Sequence, residues 1–228
     1  MRPSRRRNRP PAIDPDLWLP PELPETLRDC SDPDRIPGTR SGSRLYDQPA
    51  WRAEGDRIRD FCRPDAVPLN VELGVDRGYR LLGHARRWPE ARWMGIELRK
   101  TVLEAAGTAP DNALLVRGDG RAVLSALVPA GRVSRLDILF PTPSNNPRHL
   151  LLTPVFGMLV ARVLDPEGVL HLATDIPGMV QLAEAAFGHW RPARPPPSGP
   201  VRSRREKVCE REGRRVWRWS VRPPASSG

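Results

Sequence analysis

Glu72, Glu97 and Asp119 each stand at or just past the end of a short apolar run: LNVEL (69–73), RWMGIEL (92–98) and ALLVRGD (113–119). The first run leads into ELGVDRG, where Gly74 and Gly78 lie four residues apart. Carboxylates accept hydrogen bonds and attract cations, and glycines let a turn close tightly against a ligand. The pattern G-x-G-x-x-G, which brings a helix N-terminus onto a pyrophosphate, is absent. The acids therefore suit a nucleoside that carries no phosphate. Glu97 could accept from both ribose hydroxyls and Asp119 from an adenine amino group, and Glu72 could face a cationic or amino-bearing group. Each acid alone has a plainer reading as a helix cap; three of them at successive strand ends are more specific.

The elements that must position these acids alternate along the chain. Residues 69–73, 92–98, 113–119, 134–140 and 168–175 read as strands. Residues 78–88, 121–127, 152–164 and 177–187 read as helices, with Thr153 suited to cap the third and Pro154 to its first turn. RRVWRWSVR (214–222) alternates Trp217, Trp219 and Val221 with Arg218, Ser220 and Arg222, which reads as a half-exposed strand with its tryptophans toward the core. Alternation of this kind predicts an α/β fold, a doubly wound, mostly parallel sheet whose ligands bind at the carboxyl ends of its strands. S-Adenosylmethionine fits such a row of acids: it has adenosine, a sulfonium and an ammonium, and no phosphate.

Residues 1–65 are rich in proline and arginine and are expected to be largely irregular, with room for one short helix over 46–62 carrying Trp51, Ile58 and Phe61. Residues 66–222 form the expected domain, and 223–228 a disordered tail. The formal net charge of +10 sits at the two ends: residues 1–12 carry +5 and residues 191–222 carry +8, leaving −3 for the rest. Basic ends on a near-neutral domain suit a polyanion, most simply nucleic acid. Cys30, Cys62 and Cys209 have neither disulfide nor zinc spacing, so no metal is expected. His171 lies inside an apolar strand and reads as a core residue, while His84 and His189 lack a partner at metal or triad spacing. No apolar run has membrane-spanning length and no secretory start is present, so no membrane partner and a cytoplasmic location are expected.

VELGVDRGYRLLGHARRWPEARWMGIEL, LLVRGDGRAVL, FPTPSNNPRHLLLTPVFGMLVARVLDPEGVLHLATD and SRREKVCEREGRRVWRWSV occur in that order over about 69–222. They resemble the successive blocks of the bacterial tRNA (guanine-N7)-methyltransferases, a family with a Rossmann-like class I methyltransferase fold ending in an antiparallel strand. The resemblance implies methyl transfer from S-adenosylmethionine to guanine-46 of tRNA, by a monomer or homodimer. It implies cofactor contacts for Glu72, Gly74, Gly78, Glu97 and Asp119. It implies guanine or tRNA contacts for Asn146, Arg148, His149, Asp175, Ser203 and Glu206, with Asp175 and Glu206 able to serve the catalytic step.

The chain departs from the family at two places. Asp76 stands where a second glycine is usual, and aspartate tolerates the left-handed conformation better than most residues. Thr142 stands where the family loop carries the aspartate given a catalytic role. Guanine N7 already bears a lone pair, so the reaction needs alignment more than a base. Asp175 and Glu206 could accept from the guanine N1 and N2 donors and offset the positive charge developing on the purine. Three readings stay open: a tRNA guanine-N7 methyltransferase, a methyltransferase with another acceptor, and a catalytically weakened tRNA-binding relative.

Overall fold

The apolar runs pair as neighbouring strands of one sheet. The computed structural model describes residues 49–142, 151–194 and 202–224. Its strands are β1 (Leu69–Leu73), β2 (Arg92–Glu97), β3 (Ala113–Arg117), β4 (Val133–Leu139), β5 (Leu164–Thr174), β6 (Arg191–Pro192) and β7 (Trp217–Arg222). Its helices are α1 (Pro49–Phe61), α2 (Tyr79–Arg87), α3 (Lys100–Leu103), α4 (Gly120–Leu127), α5 (Pro154–Val163), α6 (Pro177–Phe187) and α7 (Arg204–Arg211). The strand order is β3-β2-β1-β4-β5-β7-β6. β1 to β5 pair in parallel, and β7 runs antiparallel to β5. The chain leaves β1 toward β2 and β3, then returns to β4 on the other side of β1. The crevice at the carboxyl ends of β1 and β4 is therefore the place where such a sheet binds ligands.

Alternation along the strands divides two apolar layers. Leu69, Val71 and Leu73 of β1, Met94 and Ile96 of β2, and Leu114 and Val116 of β3 join the main core with α4, α5 and α6. Trp93, Ala113 and Leu115 face the other way and pack with Leu81, Leu82 and Ala85 of α2. In the main core Phe187 meets Phe156 and Trp190 edge-on, with ring centroids 6.4 and 5.1 Å apart. Burial of one such side chain stabilises by about 1.5–3 kcal/mol. Thr153 caps α5, its hydroxyl accepting from Phe156 N at 3.1 Å, and Pro154 occupies the first turn as its fixed φ favours.

The helix expected over 46–62 forms as α1, and its Ile58, with the following Cys62, is fully buried in the main core. The folded unit thus begins before residue 66. The helix expected over 152–164 gives way at once to β5, which starts at Leu164 rather than 168. The Asp165–Gly168 turn is an irregularity within that strand. Asp165 Oδ1 accepts from Glu167 N at 2.9 Å, and a Cβ at Gly168 would lie 2.7 Å from Val133 O. α3, α7 and β6 have no counterpart in the expected elements. β7 forms as expected, with Val221 buried and Trp219 against the core. Trp217 is half-buried beneath the Arg215 guanidinium, 5.0 Å from its ring. Residues 1–48 and 225–228, with the irregular extension and tail expected there, lie outside the described residues.

Candidate active site

A cavity of about 950 Å³ opens at the carboxyl ends of β1 and β4. Its floor comes from the turn after β1, one wall from Glu97–Arg99, and the opposite wall from Leu139–Thr142, Asp175 and the start of α7.

The turn after β1 folds over the end of β2. Gly74 N and Val75 N both donate to Ile96 O, at 2.8 and 3.2 Å. Gly74, Asp76 and Gly78 take φ of 74°, 53° and 72°. Asp76 therefore does adopt the left-handed conformation that the glycine position demands. This turn aims Asp76 N at Glu97, whose Oε2 accepts it at 3.1 Å. Glu97 Oε1 accepts from Arg99 N at 2.9 Å and from Arg99 Nε at 3.0 Å. The carboxylate is buried yet lines the cavity, fixed largely by main-chain donors. The Arg99 side chain is 62% exposed and can swing away, which would free a lone pair of Glu97 toward the cavity.

Asp119 is placed differently. It is the N-cap of α4, accepting from Arg121 N at 2.9 Å, and it pairs with the Arg121 guanidinium at 2.8 Å. It does not line the cavity, and neither does Gly78. The cap role that any strand-end acid can take is the one Asp119 fills.

Glu72 belongs to a polar row that crosses the sheet in register: Gly95, Glu72, Asp137, His171 and Ser220 on β2, β1, β4, β5 and β7. Arg80 of α2 lies against it, Nη1 donating to Glu72 Oε2 and to Asp137 Oδ2, both at 2.8 Å. Arg135 Nε donates to Asp137 Oδ1 at 2.9 Å. Burial raises the Glu72 carboxyl to about 7 against the pull of Arg80. Burial acts on Asp137 too, but Arg80 and Arg135 overcome it and hold that carboxyl at about 2. His171 is a core residue as expected. Its Nδ1 lies 2.9 Å from Ser220 Oγ, and burial lowers its pKa to about 4. His84 packs in a triangle of rings with Trp88 and Trp93, at centroid distances of 4.9 and 5.1 Å, and does not line the cavity.

On the opposite wall, Phe140 N donates to Ala173 O at 2.7 Å while Phe140 takes φ 53°. A left-handed non-glycine residue costs about 1–2 kcal/mol, and such strain gathers at functional sites. It turns the chain out of β4 so that Phe140, Pro141 and Thr142 edge the cavity. Asp175, just past β5, accepts from Arg205 Nη2 at 2.6 Å and pairs with Arg214 at 3.5 Å. Burial alone would raise its carboxyl; the hydrogen bond and charge of Arg205 hold it below the usual carboxylate range. Ser203 is the N-cap of α7, its hydroxyl accepting from Glu206 N at 3.1 Å. Glu206 pairs with Arg218 at 2.8 Å and lines a small separate recess rather than the main cavity. Asn146, Arg148 and His149 lie outside the described residues.

The structure thus brings Glu72, Gly74, Glu97, Thr142, Asp175 and Ser203 around one space. Sequence reasoning missed Arg80, Arg99, Arg205 and Arg214. One signal was available: Asp137 in the apolar run SRLDILF is a charge in a core strand, and such a charge demands a partner. Among the described residues no group of three or more His, Cys, Asp or Glu could hold a metal ion, and no helix is long and apolar enough to cross a membrane.

A family model described as "Putative methyltransferase" matches residues 66–193. The chain is 35% identical over 135 residues to the tRNA (guanine-N(7)-)-methyltransferase of Levilactobacillus brevis, covering 56% of this chain and 62% of that one. It is 31% identical over 185 residues to the enzyme of that name from Chromohalobacter salexigens, covering 72% and 75%. The match to the Levilactobacillus brevis protein thus spans about six-tenths of that relative's length. Among solved structures, the 16S rRNA methyltransferase KamB superposes with a TM-score of 0.52 at 16% identity, over 75% of this chain and 94% of that one. Human methyltransferase-like protein 13, solved in complex with SAH, does so with a TM-score of 0.50 at 13% identity, over 77% and 83%. These two likenesses bear on the fold, which is the Rossmann-like fold of methyltransferases. With its strand order, its carboxyl-end cavity and these sequence matches, the chain belongs to the tRNA (guanine-N7)-methyltransferase family.

Proposed function

We propose that the protein transfers a methyl group from S-adenosylmethionine to N7 of a guanine in tRNA, at position 46. The observation that carries this reading is one cavity at the β1–β4 crevice with Glu97 on one wall and Asp175, Ser203 and Thr142 on the other, in a chain of this family. The residues present fit the donor: Glu97 offers acceptors for ribose hydroxyls, and Gly74 leaves nothing within 4 Å of a Cβ position. When bound, the donor supplies a methyl group on a sulfonium, and guanine N7 takes it through a lone pair without losing a proton.

The chain's own contribution is alignment and charge. Asp175 can accept from the guanine N1 and N2 donors once Arg205 gives way, and its negative charge offsets the positive charge developing on the purine. Thr142 offers a hydroxyl at the cavity edge and no charge. Arg148 and His149 serve as guanine or tRNA contacts in this reading, and the basic segment 191–222 attracts the phosphate backbone. The protein acts in the cytoplasm, on tRNA, without a metal.

Thr142 favours a second reading, in which the same donor serves another acceptor. One assay separates the two. The protein is incubated with methyl donor and unmodified tRNA, beside a Thr142→Asp variant, and the digested nucleosides are mapped. 7-Methylguanosine at position 46 is expected, with more of it from the variant. A product at another guanine would correct the position, and no product from tRNA with either protein would sink the reading.

A further inference from the structure

Asp175 is the only carboxylate on the cavity wall built from Leu139–Thr142 and the start of α7, and its oxygens are already taken. Arg205, the second residue of α7, closes on it with a planar fork: Nε donates to Oδ1 at 3.3 Å and Nη2 to Oδ2 at 2.6 Å. Arg214 Nη1 adds a looser contact to Oδ2 at 3.5 Å. The Asp175 side chain is 3% exposed and that of Arg205 42%, so the guanidinium is the solvent-facing member of the pair.

The shape of the contact matters. The Arg205 edge presents two parallel N–H donors on nitrogens joined to one carbon. The Watson–Crick edge of guanine presents the same group, N1–H and N2–H on nitrogens joined to C2. Adenine, cytosine and uracil offer no such adjacent pair of donors. Arg205 therefore fills, with the same bond pattern, the place on Asp175 that the base of the proposed reaction must take. A guanine that enters exchanges one fork for another and gains little by that alone. The exchange becomes favourable once the released guanidinium meets another anion. The protein does not supply one: among the described residues Arg205 has no acceptor besides Asp175. Glu206 is paired with Arg218, Glu210 with Arg202, and Glu212 with Arg214. Arg204 beside it is a further exposed cation lining the cavity. The anion must arrive with the base, and a nucleotide brings one in its phosphate.

We propose that Arg205 is a substrate-mimicking latch on Asp175: the guanine N1–H and N2–H displace it, and it then takes the phosphate beside the target guanosine, so that the acceptor is selected as a nucleotide and not as a bare base. This rests on the tRNA reading above, and it makes Arg205 a specificity residue.

Inhibition of tRNA methylation by guanosine, and by a guanosine bisphosphate phosphorylated at both ends of its ribose, tests it. In the wild type the bisphosphate is expected to inhibit about tenfold or more better than guanosine, the size of a charge-assisted contact. Arg205→Met vacates Asp175 and removes the phosphate partner. Guanosine should then inhibit about 3- to 10-fold more tightly than in the wild type, and the preference for the bisphosphate should fall by about fivefold or more. Arg205→Lys, whose ammonium cannot copy the guanine edge but still meets a phosphate, should also bind guanosine more tightly while keeping most of the preference. A merely structural Arg205 would weaken both inhibitors together and tighten neither. If Arg205→Met does not fold, the wild-type ratio and Arg205→Lys decide. With wild-type tRNA methylation intact, guanosine inhibiting all three proteins alike, or none of them, would overturn the latch alone, as would an Arg205→Met protein that folds and methylates no tRNA. Wild-type protein that methylates no tRNA would overturn the tRNA reading, and the latch with it.

Discussion

Glu97 and Asp175 are both carboxylates at the ends of parallel strands, with side chains 5% and 3% exposed, yet the balance of main-chain and side-chain donors that holds them differs. Glu97 accepts from two main-chain amides, those of Asp76 and Arg99, which the turn after β1 and the exit from β2 fix in place, and from the exposed Arg99 guanidinium beside them. Asp175 is closed by two guanidinium groups, from Arg205 on α7 and Arg214 just before β7. Amides fixed by backbone geometry cannot leave without unfolding the turn. Arginine side chains can exchange for another donor at small cost, since roughly half of each, 42% and 49%, is exposed. In the proposed transfer, the half of the cavity that takes the donor is thus built in advance, and the half that takes the acceptor is an ion-paired surface that a base must enter by substitution.

The sharpest break of this contrast is Glu97→Ala. It removes a preorganised acceptor for the donor's ribose, and binding of S-adenosylhomocysteine is expected to weaken by about 30- to 100-fold, equivalent to about 2–3 kcal/mol. The fold should persist, because Asp76 and Arg99 border the cavity, where water can take the place of the carboxylate on their amides. Unchanged affinity by calorimetry would show that the ribose binds elsewhere. Asp175→Asn makes the converse test. It keeps the shape and drops the charge, so kcat/KM on tRNA should fall about tenfold while donor affinity stays within about twofold. A fall in donor affinity would mean that the two halves are not independent.

How far the contrast was legible in the sequence differs between the halves for a physical reason. The donor half is local. LNVEL, ELGVDRG and RWMGIEL lie within thirty residues of chain, and strand, turn and strand each carry their own signal, so the gathering of Glu72, Gly74 and Glu97 at one end of the sheet is legible, and all three line the cavity. Asp119 shows the limit of that logic, since an acid after a strand suits a ligand and a helix cap equally, and here it caps α4. The acceptor half is assembled from distant segments. Arg205 is 30 residues from Asp175 and Arg214 is 39, and no periodicity connects them. α7 itself, RREKVCER, buries only Cys209, so it has no apolar stripe to read. Its one local signal is the spacing Ser203-x-x-Glu206, a capping pattern. Phe140 at φ 53° was not legible at all, because nothing local asks an aromatic residue to be left-handed.

Glu72, unlike Glu97, is held by a guanidinium with no main-chain donor among the described residues, and it makes its half of the cavity sensitive to pH. Its folded carboxyl titrates at about 7 against 4.5 in the open chain, because burial disfavours the charged form. Between those values the folded state binds a proton that the unfolded state has lost, so stability falls as pH rises from 4.5 to about 7 and levels off above it. Asp137 acts in the opposite sense: held at about 2, it contributes stability above its ordinary 3.8 that is lost as pH falls toward 2. Glu72→Gln should therefore flatten the decline in Tm between pH 4.5 and 7, by roughly 3–8 °C across the window. Thermal melts at half-unit pH steps read this directly, and an unchanged slope would place the titration elsewhere.

The smallest expected effect separates positioning from contact at the start of α7. Ser203 lines the cavity and also caps the helix that carries Arg205. If capping is its role, Ser203→Ala costs about 1 kcal/mol of local helix stability and raises KM for tRNA about two- to fivefold, with kcat nearly unchanged. Ser203→Thr should then restore wild-type behaviour, since threonine caps almost as well. A larger loss confined to kcat and not rescued by threonine would mean that the hydroxyl touches the reacting base. The acceptor half would then contain one preorganised group, and the line between the two halves would run through α7 rather than in front of it.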